Sequence, residues 1–400
     1  MDLTAEQRAL RDVVRALLAR EQRRVPAVPD PVPPLDSLSP AARSPAPPPD
    51  SPGYDAALWQ RLCEIGVAGL GVPERYGGSG AGPVETHIAA EELGRHLTPS
   101  PLLGSAVFAA QALLASGDQP ACRRLLPAMA DGSAIAALAW TASAGRWDPA
   151  ELACHAVAAA PGWALHGEAH HVLDGDTAGI LLVAARAPGG TGLFEVDPNH
   201  GGVSREAVTT MDSTRRLAIV RLDAAAGRRI GEPPGGPAGQ PADGPAANAA
   251  QTALAQARDL ACIALSAEQV GAARQALDLT VAYTKVRVQF GRAIGGFQAL
   301  AHRMADLHVL VDSARSLSYA AAQAAADRAP DTRLRAAAAK VYCSEALQQV
   351  AAEMIQLHGA IGITWEHDAH RYLKRAHGAA QLFGRPAEHV TRIAAALIDR

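Results

Sequence analysis

Arg287-Val-Gln-Phe-Gly291, followed by Ile294, Phe297-Gln298, His302 and Ala305-Asp306, and much later by Gln356-Leu357-His358-Gly359-Ala-Ile-Gly362, decides how this chain is read. An arginine beside a glycine turn suits a diphosphate, because a planar guanidinium holds two phosphate oxygens at once and keeps its charge at any working pH. The second stretch is a glycine turn opening a helix, whose free amides suit an anion. The bland alternative is a helix C-cap beside a surface arginine. The spacing to Phe297-Gln298 and the second motif downstream argue against it.

Taken together, the two stretches resemble the flavin-binding half of the acyl-CoA dehydrogenase family. The resemblance implies FAD as cofactor, an acyl-CoA thioester as substrate, and Arg287, Gln289, Phe290, Phe297, Gln298, Gln356, Leu357, His358, Gly359 and Gly362 as cofactor-binding residues. In the family, such residues of one subunit's bundle reach the flavin held by its neighbour. That implies a homo- or hetero-oligomer with a related acyl-CoA dehydrogenase subunit, and leaves the electron acceptor open. The resemblance extends through Trp59, Leu62, Gly66 to Gly78 and Glu91-Glu-Leu-Gly94 in the first part, and more loosely through Gly162 to Gly167, Ile180 to Arg186 and Asp212-Ser-Thr-Arg215 in the middle.

The expected fold mixes α and β. A helical domain over 1–132 carries a proline-rich insert at 25–53, an antiparallel β barrel spans 133–230, a Gly/Pro linker covers 231–248, and a four-helix bundle occupies 249–400. At 400 residues the chain exceeds what one hydrophobic core organises, so several domains are expected. Leu10, Val13, Val14, Leu17 and Leu18 share one helical face. Leu193 to Val196 and Leu217 to Leu222 read as strands. Leu300, Met304, Leu307, Val311 and Ala314, and then Cys343, Leu347, Val350, Met354 and Leu357, read as bundle seams with no chemical role. The glycines between Gly77 and Gly82 read as a structural loop, since no strand precedes them and no Lys-Ser/Thr closes them.

A net charge of −3 gives no basic field for nucleic acid. Five scattered cysteines without a Cys-x-x-Cys pair, and no secretory-length apolar start, lead to the expectation of reduced thiols in a cytoplasmic protein. No run reaches the ~20 apolar residues a bilayer span needs. His367 and His370 stand three apart, but no motif places a third ligand, so no metal is expected. Hydrolase motifs are absent.

The chemistry implied by the family needs a carboxylate to remove an acidified α-proton, in a dry pocket that raises its pKa. Counting from Gly359 and Gly362, the family's usual glutamate falls on Phe383, with Gly384 next. In some relatives the base stands on the earlier bundle helix, a position that falls here on Ala261, followed by Cys262. Neither is a carboxylate. Glu268, two turns beyond Ala261, is the remaining candidate base, with a surface ion pair as the alternative; Glu366 and Asp368 read as first-turn acids of a helix. In the middle region Thr141 to Asp148 keeps only its threonine and last aspartate from the family's usual pattern, His171 stands near the place of a flavin-flanking tryptophan, and Trp147 replaces a small residue and crowds the substrate side. The Trp365 to Arg375 stretch resembles the actinobacterial branch acting on steroid side chains and other bulky acyl-CoAs, in which two different subunits share a site. Three functions follow: α,β-dehydrogenation of a bulky acyl-CoA as the base-lacking subunit of a heteromer, a non-catalytic scaffold for a catalytic paralogue, or another flavin oxidation on the same fold.

Overall fold

The computed structural model describes residues 3–22, 53–160, 162–231 and 245–398. The proline-rich insert, apart from Gly53, and residues 232–244 of the linker lie outside the described residues.

The first part is helical: α1 (Ala5–Gln22), α2 (Ala56–Glu64), α3 (Pro83–Arg95), a π-helical stretch (Leu102–Ala109), α4 (Ala110–Ala115) and α5 (Gln119–Ala130). Thr4 and Gln7 form a reciprocal capping box at the start of α1, at 3.2 and 3.0 Å. Val14 and Leu18 are buried, Leu10 and Leu17 pack at the edge, and Val13 is exposed at 49 %, so the buried face of α1 is narrower than its sequence pattern. A forked Arg15–Glu92 contact (2.9 and 2.6 Å) ties α1 to α3.

Strands β1 (Ala136–Ala139), β2 (Cys154–Ala158), β3 (Trp163–Leu173), β4 (Ile180–Ala187), β5 (Gly190–Val196), β6 (Val203–Val208) and β7 (Leu217–Ile230) make one sheet. It closes on itself through β4, β2, β3, β7, β5 and back to β4. The expected barrel is therefore present, but it is not antiparallel throughout: β1 and β2 both pair with β4 in parallel. Alternation of apolar residues marks a strand without marking its direction, and parallel neighbours need a long crossover that leaves no turn signature.

The last part comprises α6 (Pro245–Val286), a short hairpin of β8 (Val288–Gln289) and β9 (Arg292–Ala293), α7 (Gln298–Ala326), α8 (Thr332–His358), α9 (Ala369–Gln381) and α10 (Pro386–Ile398). One helix more than the expected four packs here, because α10 lies against α8. The α8 seam is buried along its whole length; on α7, Leu307, Val311 and Ala314 are buried while Leu300 and Met304 are only partly covered. Two glycines bring α3 and α6 together: a Cβ at Gly94 would lie 2.1 Å from the Glu268 carbonyl oxygen, and one at Gly271 would lie 1.9 Å from that of Glu91. That approach sets Glu268 at the seam between the first part and the bundle.

Candidate functional site

The two motif stretches meet at one end of the bundle. The Tyr283 hydroxyl, near the end of α6, donates to the His358 carbonyl at 3.3 Å, and their rings stack at 4.3 Å. Arg287 continues that helical turn through an N–H bond to Tyr283 (2.9 Å), and its carbonyl accepts from Ile294 (2.8 Å) to close the β8–β9 hairpin. Phe290 and Gly291 form the hairpin tip with φ of 52° and 79°, a geometry glycine adopts freely and phenylalanine rarely. Arg287, Gln289, Phe290, Gln298, Gln356 and Gly359 are all exposed, Phe290 at 92 %, while the Arg292 guanidinium lies 3.9 Å over the half-buried Phe297 ring. Leu357, His358 and Gly362 face the interior. His358 Nδ1 is 2.7 Å from the Met354 carbonyl, its Nε2 is buried without a partner, and burial lowers its pKa to about 4, so the ring is neutral. This open set of a cation and carboxamides fits the phosphate and nucleotide end of a dinucleotide such as FAD, and Gly359 has a φ of 66° with no neighbour over its Cα. The expected helix-opening turn with free amides is not found there: Gly359 closes α8, and its N–H donates to the Ile355 carbonyl.

His367 is absorbed by packing: its ring lies 4.4 Å from His358 and its Nδ1 accepts from the Ala369 amide at 3.1 Å. Among the described residues no cluster suits a metal ion. Asp368 is the residue just before α9, but its side chain caps none of the helix amides and instead accepts from the Arg371 guanidinium at 2.9 Å.

The two expected base positions also come together. Ala261 and Cys262 are fully buried on α6, Phe383 is fully buried in the turn between α9 and α10, and Cys262 Sγ lies 3.9 Å from the Phe383 carbonyl. The space around them is filled. The chain has five phenylalanines and five tryptophans, and four of these residues meet here: Phe383 lies 4.9 Å from Phe108 and 5.0 Å from Trp147, and Trp140 packs on both of those rings at 5.8 and 6.2 Å. Phe108 comes from the π-helical stretch, an element often found at functional sites. Arg258, 2 % exposed and paired with Asp259, fixes the Trp147 carbonyl at 3.0 Å. Phe383 holds a φ of 58°, a strained conformation that aims its ring into the cluster; a Cβ on Gly384 would instead run into Arg392 and His389 at 2.8 and 2.9 Å.

Nearby, Thr141 donates its hydroxyl to the His170 carbonyl at 2.6 Å, so that hydroxyl is occupied. His171 sits in a bulge of β3 with a φ of 56°, and its Nδ1 is buried without a partner.

Glu268 is neither an isolated base nor a surface ion pair. It is 7 % exposed and held between Arg215, from the loop before β7, and Arg375 Nη1 (3.4 Å) on α9. Arg375 also meets Asp212 at 2.9 Å and Thr214 Oγ1 at 2.6 Å, which joins the barrel to the bundle. Burial disfavours the charge on Asp212, but Arg375 and the Thr214 hydroxyl outweigh it and hold the carboxyl below its usual range. Nothing in the sequence linked Glu268 to residues so far along the chain.

Residues 247–398 match the acyl-CoA dehydrogenase C-terminal domain and residues 41–133 its N-terminal domain. The chain is 41 % identical over 342 residues to acyl-CoA dehydrogenase IpdE2 of Mycobacterium tuberculosis, covering 85 % of this chain and 86 % of that one. In structure it resembles a variant of the steroid acyl-CoA dehydrogenase Tcur3481–Tcur3483 with a TM-score of 0.81 and 30 % identity, over 98 % of both chains. It resembles the ChsE4–ChsE5 complex from Mycobacterium tuberculosis with a TM-score of 0.81 and 25 % identity, over 100 % of both chains. With the fold, the paired flavin motifs and these likenesses in agreement, the chain belongs to the acyl-CoA dehydrogenase family, whose members depend on FAD.

Proposed function

We propose that this chain is the base-lacking subunit of a heteromeric acyl-CoA dehydrogenase that acts on a bulky, steroid-type acyl-CoA, and that a related subunit supplies the general base. The observation that carries the reading is the four-ring cluster at Phe383: both places where the family carries its carboxylate are apolar, and aromatic side chains fill the room a thioester would need. Two of the structural relatives, named as two-component assemblies, and IpdE2 support the partner and the acyl class.

FAD, when bound, accepts the β-hydrogen as hydride. This chain's own contribution is electrostatic and positional. Arg287 neutralises phosphate, Gln298 and Gln356 present donors beside it, and the open space over Gly359 lets a ligand approach the backbone; together they clamp the nucleotide end of a flavin whose ring lies in the partner. The exposed Val286, Val288 and Phe290 surround this clamp with apolar surface for the partner to cover. Among the described residues no helix is long and apolar enough to cross a membrane, so no lipid-embedded segment of them enters this reading.

The test is reconstitution. Expressed alone, the chain should show little or no acyl-CoA dehydrogenation, because losing a general base costs ~10²–10⁴-fold in rate. Co-expressed with a related subunit carrying the glutamate, it should be active, and replacing that glutamate by glutamine should remove the activity. Robust turnover by the isolated chain would overturn the proposal.

A further inference from the structure

Three parts of the chain meet around a cavity of about 10 Å³, room for one water, faced by Tyr54, Asp174, Arg215, Arg216, Glu268 and Arg375. Tyr54 precedes α2, Asp174 follows β3, the two consecutive arginines precede β7, Glu268 is on α6 and Arg375 on α9. The guanidiniums are already engaged: Arg215 with Glu268, Arg216 with Asp176, and Arg375 with both Asp212 and Glu268. Asp174 is the carboxylate left over. It is 7 % exposed, and among the described residues no side chain pairs with it. Its backbone holds a φ of 54°, and Gly104 of the π-helical stretch approaches so closely that a Cβ there would lie 2.9 Å from Asp174 Oδ2.

An unpaired charge in such a place costs far more than a protonated carboxyl does. We propose that Asp174 is a proton-operated latch: protonated, it lets the N-terminal helices, barrel and bundle close on one another; ionised, it loosens their shared seam. Burial, working against the attraction of Arg215, pushes the carboxyl up to about 7. A solvated aspartate ionises near ~4. The closed seam is therefore strongest in acid, weakens as pH rises from about 4 to about 7, and has lost the whole contribution above that. The other charged groups facing the latch, Arg215, Arg216, Asp176, Glu268 and Arg375, are all in ion pairs, and burial pushes the Tyr54 phenol above its ordinary value, out of this window.

Whole-molecule stability moves the other way. Burial lowers His87 and His358 to about 4 and His389 to about 3, so protonating them costs stability as pH falls below their ordinary value near 6.5. The readout must accordingly be local. Hydrogen exchange of the full chain as purified, at pH 5.5 and 8.0 and corrected for intrinsic rates, should show amides of residues 97–105, 173–177 and 212–216 losing about tenfold in protection at the higher pH. Asp174→Asn, which matches the protonated carboxyl in shape, should keep the acid-like protection at both. Equal wild-type protection at the two pH values, or the same loss in Asp174→Asn, would overturn the latch. If the variant does not fold, the wild-type comparison decides alone, since a loss confined to those segments supports the latch and its absence overturns it.

Discussion

The two ends of the site have gone in opposite directions. At the hairpin end, a cation, two carboxamides and a phenylalanine stand exposed with little packed over them. At the base end, four aromatic rings are packed to core density around the position where a carboxylate is expected. An enzyme complete within one chain would keep both ends accessible. In the proposed heteromer, a chain that keeps only the first end open offers it to a neighbour, while the other end serves as structural core, where the hydrophobic effect stabilises it without regard to chemistry.

The sharpest way to break this contrast is to empty the cluster. Trp147→Ala and Phe383→Ala should each destabilise the protein by about 3–5 kcal/mol, the range for deleting a buried large aromatic. Chemical denaturation of the purified variants measures it. A cost below ~1 kcal/mol would mean the rings are loosely held and the space is available to a ligand. Phe383→Glu alone should be destabilised and inactive, since it would bury a charge among the rings; turnover by that variant would show that the cluster is no obstacle.

Legibility follows the same division. The hairpin end could be picked out as a unit because its residues are local: Arg287, Phe290, Phe297 and Gln298 lie within one short stretch, and Gln356 to Gly362 in another. The seams of α7 and α8 were readable because helical periodicity is also local. Trp147 was singled out as a crowding residue and Phe383 as a base position without a carboxylate, but Phe108 and Trp140 were not singled out at all, since a lone aromatic in an apolar run carries no sign of which distant ring it will meet. The surface placing of a Glu268 ion pair failed for the same reason: its partners Arg215 and Arg375 lie on other elements, and the close Gly94 and Gly271 contacts of α3 with α6 help bring that stretch into the interior. Strand direction in the barrel was likewise hidden, because β1 and β2 reach β4 by crossovers.

Glu268→Gln tests whether the buried ion pair is structural. Removing its charge leaves Arg215 and Arg375 sharing less negative charge in a buried seam, so a loss of about 3 kcal/mol is expected. Turnover per bound flavin in the reconstituted heteromer should be unchanged, because the carboxylate is committed to two guanidiniums. A collapse of turnover at undiminished stability would instead make Glu268 the base.

The smallest effect on stability is expected at the open end, and there it is the most informative. Arg287 is exposed on a hairpin and no ion pair holds it among the described residues, so Arg287→Ala should change the unfolding free energy of the flavin-free chain by no more than ~0.5 kcal/mol. In the proposed clamp the same substitution would remove a contact to phosphate, and a hydrogen bond to a charged group is worth about 1.5–3 kcal/mol, so flavin affinity in the assembled protein should fall at least tenfold. Flavin absorbance after gel filtration, set beside a denaturation curve, separates the two quantities. Flavin retained in full by Arg287→Ala would remove the clamp from the reading and leave the exposed hairpin as a contact for the neighbouring subunit alone.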